Sequence, residues 1–476
     1  MRLQIRTIPA LLALAILPTL DVSAQSPTPT NLAQQYQPAA DRLIQAALAD
    51  SSAWNRLALL TDTFGHRQAG SESLERAIDW TLAEMKKDGL QNVHGEQVMV
   101  THWLRGEESA TLTKPRPQRL HMIGLGLSVG TPPQGITAPV LVVRSFDDLH
   151  AHAAEARGKI VLFDFPFTNL ADPFRGYGET VVYRAIGAVE AAKVGAVAAL
   201  IRSVSTASMQ NPHTGVMRYD TTVKKIPAAA LSIEDAEMLS RMQARGQPLE
   251  LTLKMGAVRY PNAPSRNVVA EIRGSTLPDQ VVVLGGHIDS WDVGEGAMDD
   301  GGGAVAAWEA LLLMKKLGLT PRRTVRVVLW TSEETGGLGG IAYATAHAAD
   351  VERHMLAMES DNGPFKPFGY RFSGSESALP AIRDIASLMA KIGATKVDSG
   401  DPETDVAPLT AAGVPSIGLD VDPSRYFWYH HSEADTMDKL DPKEVAECVA
   451  TMAVMAYVVA DMPGALPRAP VVRARR

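Results

Sequence analysis

The second half of the chain alternates between short apolar runs and longer runs with helical periodicity, beginning near residue 267. Short apolar runs bounded by turn residues predict buried strands, and apolar residues repeating every three to four positions predict helices. Strands are predicted at 268–272, 281–285, 324–330, 355–359 and 416–419, and helices at 303–317, 338–349, 379–392 and 443–460. This alternation predicts the α/β class, with a mixed, largely parallel sheet sandwiched by helices.

Residues 113–260 follow a separate pattern, with Gly and Pro at both ends. Strands are predicted there at 140–143, 160–163, 196–201 and 228–231, and helices at 181–194 and 232–244. This pattern predicts an inserted α/β domain. The main domain is then expected in two parts, 37–112 and 261–465, with a tail at 466–476. Its first part should hold helices at 39–61 and 71–88.

The chain begins like a secretory signal. Arg2 and Arg6 precede an apolar run at 8–20, and the small residues Ser23 and Ala24 follow shortly after. Such a run is too short for a bilayer core, which needs about 20 residues. We therefore predict a cleaved signal peptide at 1–24 and an exported protein, followed by a flexible Pro/Thr/Gln-rich leader at 25–36.

Charge and cysteine content narrow the classes further. The 476 residues carry a formal net charge of −7 and contain no basic stripe, so no nucleic-acid partner is expected. No stretch after the signal is long and apolar enough to span a membrane. The single cysteine, Cys448, allows no internal disulfide. Because no Asn begins a glycosylation sequon, a bacterial envelope is favoured, either periplasmic or secreted.

Candidate chemistry appears where predicted strands end. His287 and Asp289 follow strand 281–285, Glu333 and Glu334 follow strand 324–330, and Asp361 follows strand 355–359. In open α/β sheets, ligands bind beyond the carboxyl ends of the strands. Each motif alone has an ordinary structural explanation, such as a helix cap or a solvated acid pair. Their recurrence at successive strand ends favours a shared site.

Two further motifs complete the set. Asp299 and Asp300 lead into a glycine-rich helix start, and His430 and His431 stand together on a turn-rich loop. Carboxylates and imidazoles without a thiolate suit zinc. One catalytic zinc uses three protein ligands, whereas His, Asp, Glu, Asp and His exceed that number. A bridging carboxylate fits two metals about 3.5–4 Å apart.

These residues together resemble the zinc exopeptidases of metallopeptidase family 28. The resemblance covers nearly the whole chain after the signal, and includes the motifs at 64–71, 102–109, 130–137 and 427–432. It implies the zinc-exopeptidase fold with a protease-associated-like inserted domain, a homodimer, and two Zn²⁺ per chain. The implied substrates are small peptides with a free amino terminus, dipeptides in particular.

The resemblance also implies a role for each residue. His287 and Asp361 would bind one zinc, Glu334 and His431 the other, and Asp299 would bridge them. Glu333 would be the general base acting on a metal-activated water, and Asp289 the partner that orients His287. The ligand is assigned to His431 rather than His430 because His431 stands at the family's His-Ser/Thr-x-x-Asp-Thr spacing. The bond between Asp299 and Asp300 would be cis.

One departure from the family pattern leaves the oxyanion donor open. Related leucine aminopeptidases carry a tyrosine before the pair that matches Thr404 and Asp405, and none stands here. Tyr429, His430 or the zinc ions alone are the candidates. Two other functions stay open: a non-catalytic binding protein on the same fold, and a one-metal enzyme such as a glutaminyl cyclase or an amidase.

Overall fold

The computed structural model describes residues 31–207 and 209–470. The predicted signal peptide, residues 25–30 of the predicted leader and residues 471–476 of the predicted tail lie outside the described residues. None of the helices in the described ranges is both long and apolar enough to cross a membrane.

Eighteen strands occur in the described ranges. They are β1 (Gln91–Val100), β2 (Trp103–Leu104), β3 (Glu108–Lys114), β4 (Gln118–Leu120), β5 (Met122–Gly124), β6 (Ile136–Val143), β7 (Ile160–Phe163), β8 (Ala198–Arg202), β9 (Ala228–Leu231), β10 (Glu250–Met255), β11 (Val258–Arg259), β12 (Ala263–Ile272), β13 (Leu277–His287), β14 (Arg323–Trp330), β15 (His354–Glu359), β16 (Pro367–Ser373), β17 (Lys396–Ser399) and β18 (Ser416–Val421).

Fourteen α-helices accompany them in the same ranges. They are α1 (Leu32–Ala49), α2 (Ser52–Phe64), α3 (Glu72–Lys87), α4 (Phe146–Ala151), α5 (Ala153–Ala156), α6 (Pro173–Thr180), α7 (Val182–Lys193), α8 (Ile233–Ala244), α9 (Gly302–Lys316), α10 (Leu338–Ala346), α11 (Leu379–Ser387), α12 (Ala407–Ala411), α13 (Tyr426–Tyr429) and α14 (Pro442–Asp461).

The main sheet has the strand order β1-β12-β14-β13-β15-β18-β16-β17. Its centre, β14-β13-β15-β18, is parallel, whereas β12 and β16 join that centre in antiparallel fashion. Helices α1, α2, α9 and α14 bury one face, and α10 and α12 pack against the other. The predicted mixed, largely parallel sheet between helices is confirmed.

A second sheet is built from the chain between Glu108 and Met255, in the order β4-β3-β10-β6-β7-β8-β9-β5. Strands β6, β7, β8 and β9 are parallel, which fits the strand–helix alternation of this segment. Its apolar core lies on both faces of the sheet, around Leu162 and Phe163 respectively. The predicted limits of the inserted domain, 113 and 260, stay predictions.

Two predictions near the start of the described chain were wrong. The predicted flexible leader reached residue 36, but α1 begins at Leu32 and buries Leu32 and Tyr36 one helical turn apart. The single helix predicted at 39–61 is two helices: α1 ends at Ala49 and α2 begins at Ser52, whose N–H and hydroxyl donate to the Asp50 carboxylate between them.

Candidate metal centre

Three parallel strands of the main sheet end side by side at one edge. The register places His287, the last residue of β13, beside Trp330, the last of β14, and Gly285 beside Glu359, the last of β15. The residues that follow these strands therefore emerge into one crevice. This arrangement brings Asp361 to the His287 imidazole and Glu334 into the same crevice, beside His431.

His287 is fully buried and its tautomer is set by its neighbours. Its Nδ1 donates to the carbonyl oxygen of Asp289 at 2.9 Å. The Nε2 atom lies 3.1 Å from Asp299 Oδ1 and 3.2 Å from Asp361 Oδ1. In the neutral ring Nε2 then carries a lone pair. Three acceptor atoms, His287 Nε2, Asp299 Oδ1 and Asp361 Oδ1, therefore lie close together.

The Asp289 carboxylate is farther from His287, with Oδ1 at 3.6 Å from Nδ1. The same Oδ1 accepts the backbone N–H of Glu333 at 3.1 Å. The backbone carbonyl of Asp289 thus orients the histidine, and its side chain holds the main chain of Glu333. Sequence reasoning assigned only the first of these tasks to Asp289, and assigned it to the carboxylate.

Asp299 stands between the two histidines of the crevice. Its Oδ2 lies 3.3 Å from His431 Nε2, and its Oδ1 faces His287. The peptide bond from Asp299 to Asp300 is cis, as the family resemblance implied. One carboxylate oxygen of Asp300 accepts the backbone N–H of His287, and the other accepts the backbone N–H of Gly303. Asp300 therefore stabilises the backbone around the crevice and is not one of the side chains that line it.

Glu334 and His431 meet on the other side of Asp299. His431 Nε2 is 3.0 Å from Glu334 Oε2. The His431 backbone has φ of 60°, the left-handed region that a side chain with Cβ rarely adopts. His430 stacks on His431 with ring centroids 3.5 Å apart, and its Nε2 lies 3.7 Å from Asp299 Oδ2.

The donor set fits cations. Each of the three acids in this donor set has a buried carboxylate oxygen without a hydrogen-bond partner among the described residues: Asp299 Oδ2, Glu334 Oε1 and Asp361 Oδ1. Potential ligand atoms form two groups, and within each group the atoms lie no more than 4.8 Å apart. One group is His287 with Asp299 and Asp361, and the other is Asp299 with His430 and His431. Asp299 belongs to both groups. Buried acceptors without donors are costly unless a cation meets them.

Comparison with known proteins places these features in a family. Residues 267–456 match the model of peptidase family M28. Carboxypeptidase Q of Mus musculus is 50% identical over 436 residues, covering 91% of each chain, and that of Homo sapiens is 51% identical over 420 residues, covering 88% of each. The chain belongs to peptidase family M28. The predicted class, a zinc-dependent exopeptidase, is confirmed at the level of this family.

Solved structures agree with the M28 assignment. A peptidase M28 precursor from Shewanella amazonensis superposes with a TM-score of 0.89 at 38% identity, covering 92% of this chain and 99% of that one. A zinc aminopeptidase from Bacillus subtilis has a TM-score of 0.62 at 20% identity, covering 87% and 95%, which shows a shared fold.

Sequence reasoning missed the residues that hold the M28 crevice in shape. The Asp435 carboxylate accepts the N–H groups of Met298 at 2.6 Å and of Asp299 at 3.1 Å. Burial and the charge of Asp299 raise the pKa of Asp435 to about 7. The signal was present in the sequence, because Asp435 stands in the His-Ser-x-x-Asp spacing that identified His431.

The second sheet supplies contacts that no motif indicated. The Thr214 N–H donates to the carbonyl oxygen of His431 at 2.9 Å, and His213 Nδ1 donates to that of His430 at 2.6 Å. Both donors lie in the loop between β8 and β9. They hold the left-handed backbone of His431, and only the folded chain reveals them because more than 200 residues separate the partners.

Two further groups lie near the crevice. Glu333 is half-buried, and burial raises the pKa of its carboxyl. The Tyr426 hydroxyl donates a long 3.4 Å hydrogen bond to the carbonyl oxygen of Asp361. This places Tyr426, which the sequence did not indicate, as near to the crevice as the predicted candidate His430.

A cavity of about 1080 Å³ is lined by Tyr429 and Glu433, which flank the paired histidines in the sequence, and by residues of β4 and β5. Tyr429, the other predicted oxyanion candidate, therefore lies on the wall of this cavity.

Proposed function

We propose that this chain is a two-zinc exopeptidase that hydrolyses small peptides, dipeptides among them, from a free amino terminus. This proposal rests mainly on Asp299, which belongs to both groups of converging ligand atoms. A carboxylate has two oxygens and can serve two cations at once. The similarity to carboxypeptidase Q and membership of peptidase family M28 support the same function.

Five side chains would hold the metals. His287 and Asp361 would serve one ion, Glu334 and His431 the other, and Asp299 would serve both. Distances of 3.0–3.3 Å between facing donor atoms support these pairings. His430 is the alternative to Glu334 in the second group, because its Nε2 also approaches Asp299.

Bound zinc ions supply Lewis acidity, which lowers the pKa of a water molecule and stabilises negative charge on the substrate carbonyl. The proton is handled by Glu333. Its carboxylate accepts the proton of the attacking water while the water oxygen bonds to the scissile carbonyl carbon. It then donates that proton to the leaving nitrogen as the carbon–nitrogen bond breaks.

The geometry of Glu333 suits this task. Its backbone N–H is fixed by Asp289 Oδ1, on the same segment that orients His287. Burial raises the pKa of its carboxyl, so the group holds a transferred proton more readily than a solvated acid. Asp289 therefore ties the position of the proton carrier to that of a metal ligand.

The surroundings favour short substrates. Asp299 is 5% exposed and His431 9%, so little of a long chain could reach them without rearrangement. An exopeptidase needs only the end of a peptide in the crevice. Export through the signal at 1–24, a periplasmic or secreted location and a homodimer belong to this proposal through the family resemblance and the sequence of the first residues.

Purified protein incubated with a panel of dipeptides, free or acetylated at the amino terminus, tests the proposal. Free dipeptides should be cleaved, acetylated ones spared, and a zinc chelator should abolish cleavage. Activity restored by zinc alone would support the metal assignment. Cleavage of acetylated but not free peptides, or full activity with chelator, would contradict it.

A further inference from the structure

Arg67 is a fully buried arginine in the loop between α2 and α3. It lies in the motif at 64–71, which contains neither a proposed metal ligand nor the proposed base. Burying a guanidinium is costly unless its N–H donors find acceptors. The partners of Arg67 therefore show what this position contributes to the fold.

All three nitrogens of the Arg67 guanidinium donate to backbone carbonyl oxygens. Nη1 bonds to that of Gly65 at 3.0 Å, within the same loop. The other three bonds reach the chain that follows β13: Nε donates to Ile288 at 2.8 Å, Nη1 to Glu295 at 2.6 Å and Nη2 to Gly296 at 2.8 Å. Hydrogen bonds from a charged donor are roughly twice as strong as neutral ones. Arg67 therefore ties the loop between α2 and α3 firmly to this second segment.

The chain between His287 and Asp299, which we call the metal loop, joins two proposed metal ligands. It leaves β13 directly after His287 and returns to the crevice directly before Asp299. The bond from Arg67 to Ile288 holds the outgoing arm of the metal loop, and the other two bonds hold the returning arm. One side chain thus spans both arms, at whose ends His287 Nε2 and Asp299 Oδ1 lie 3.1 Å apart.

The main chain of Arg67 adds to the same attachment. Its N–H donates to Ser290 Oγ at 2.9 Å, and its carbonyl oxygen accepts the N–H of Ser290 at 3.1 Å. The returning arm comes close because Gly296 has no side chain: a Cβ there would lie 2.4 Å from Ser290 Cβ and 3.0 Å from Arg67 Nη2. The Gly296 carbonyl oxygen also accepts the N–H of Gly301 at 3.0 Å, which closes the turn that contains Asp299.

The guanidinium is also a positive charge beside the acids of the crevice. Burial lowers the pKa of Arg67 to about 10, and the carboxylates of Asp435, Asp289, Asp300 and Asp299 act against that shift. The group therefore stays charged at neutral pH. Buried charges of the same sign repel one another, and a cation close to them reduces that cost. Arg67 thus lowers the repulsion among the carboxylates of the crevice.

We propose that Arg67 is a positioning residue of the metal centre: it holds the arms of the metal loop at the separation at which His287 and Asp299 bind the same zinc ion. This inference rests on the proposed function. Lysine cannot replace this arginine, because its three donors share one nitrogen, whereas the guanidinium fork reaches acceptors on both arms at once. The motif at 64–71 thereby supports a site whose proposed ligands all lie beyond residue 286.

The zinc affinity of Arg67→Lys tests the proposal. Lysine keeps the charge but cannot reach both arms, so the dissociation constant for zinc should rise about 10- to 100-fold, as for other residues that hold a metal ligand. At saturating zinc, kcat should fall about 10- to 100-fold with little change in KM, because a displaced ligand alters the reacting geometry more than substrate binding. Competition with a fluorescent zinc chelator measures the affinity without any substrate.

Arg323→Lys is the matched control, because it separates positioning from general stability. Arg323 is 2% exposed and likewise donates to three backbone carbonyl oxygens, those of Val459, Met462 and Gly464, at 2.7–3.2 Å. It is the first residue of β14, whereas the crevice lies where the strands end. Both variants should lower the midpoint of thermal unfolding, but only Arg67→Lys should weaken zinc binding.

Two further measurements support the comparison. The visible absorption of the protein loaded with Co²⁺ depends on coordination geometry, so it should change in Arg67→Lys and match the wild type in Arg323→Lys. Ser290→Ala covers the case in which Arg67→Lys does not fold. It removes the acceptor of the Arg67 N–H and leaves the guanidinium bonds in place, so zinc affinity should fall about 5-fold, the contribution of one neutral hydrogen bond.

The proposal is overturned by wild-type zinc affinity in Arg67→Lys, or by an equal loss of affinity in Arg323→Lys. The second result would show a general effect of replacing a buried arginine. If Arg67→Lys does not fold, wild-type affinity in Ser290→Ala is decisive in the same way. A wild-type protein that binds no zinc would contradict the proposed function itself. Zinc binding without peptide cleavage would contradict the proposed reaction, and the affinities would still decide the role of Arg67.

Discussion

The two eight-stranded sheets share one architectural feature and differ in what it carries. Each has four adjacent parallel strands, β14-β13-β15-β18 in the main sheet and β6-β7-β8-β9 in the second. At the end of β7, Asp164 lies 3.2 Å from Arg144 and 3.3 Å from Arg202. At the ends of the main strands, carboxylates and imidazoles face one another instead.

In both sheets the strand ends determine where the side chains lie. The carboxylates that could bind a metal are those without an arginine or lysine partner. The Asp164 carboxylate forms ion pairs with two arginines, which compensate its charge. The Asp299 and Asp361 carboxylates face imidazoles and form no ion pair with Lys or Arg among the described residues. The second sheet contributes through its loops, which reach the backbone of His430 and His431.

The largest expected effect comes from neutralising the shared acid. Asp299→Asn should lose bound zinc and reduce kcat/KM by more than about 10³-fold, because the proposed bridging ligand and its charge are lost together. Metal content by emission spectrometry checks this. Asp164→Asn, the matched strand-end control, should keep zinc and activity while unfolding more easily, by about 3 kcal/mol, as a broken buried ion pair does.

Glu333→Gln should separate proton transfer from metal binding. The amide keeps the shape of the side chain but cannot accept a proton, so kcat should fall about 10²- to 10⁴-fold with zinc content unchanged. Steady-state kinetics with parallel metal analysis measures both quantities. Wild-type turnover in this variant would show that another group carries the proton.

The contribution of the second sheet is smaller and acts through position. His213→Ala removes the hydrogen bond to the carbonyl oxygen of His430, the residue before the proposed ligand His431. We expect zinc affinity to fall by up to about 10-fold, the lower end of the loss for residues that hold a metal ligand directly. Competition with a fluorescent zinc chelator measures the change. Unaltered affinity would mean that the Thr214 contact alone holds the loop.

Protonation of His354, at the edge of the main sheet where β15 begins, should change stability but not turnover. Burial lowers the pKa of His354 from 6.5 to about 4, and Tyr343 donates to its Nε2. The unfolded chain then binds more protons between these values. Stability is complete above pH 6.5 and is lost as the pH falls toward 4, by about 3 kcal/mol.

Denaturant titrations at pH 7 and pH 4.5 measure this effect. In His354→Gln, which cannot titrate, the difference in unfolding free energy between the two pH values should shrink. Activity at pH 7 should match the wild type because His354 lies at the opposite end of β15 from Asp361. An unchanged acid dependence would assign the effect to another group.

Much of the fold and of the candidate centre could be predicted from the sequence. Apolar runs ending in His287, Glu334 and Asp361 indicated both the parallel strands and the crevice where they end. The spacing rules that act over a few residues were enough there. The boundary of α1 was missed because a Pro-rich composition concealed Leu32 and Tyr36, whose spacing buries them.

The remainder depends on contacts between distant parts of the chain. His213 and Arg184 stand in no motif, and their neighbours His430 and His431 lie more than 200 residues away. For Asp289, the sequence predicted that the residue would orient His287 but not through which oxygen. The local turn places the backbone carbonyl oxygen, and not the carboxylate, at hydrogen-bond distance from the imidazole.

In the proposed function, Asp299 serves two metal ions at once. Diffraction from crystals grown with zinc, measured at the zinc absorption edge, tests it directly. We predict two anomalous peaks per chain, about 3.5–4 Å apart, each contacted by one Asp299 oxygen. A single peak, or two peaks of which Asp299 touches only one, would contradict the account.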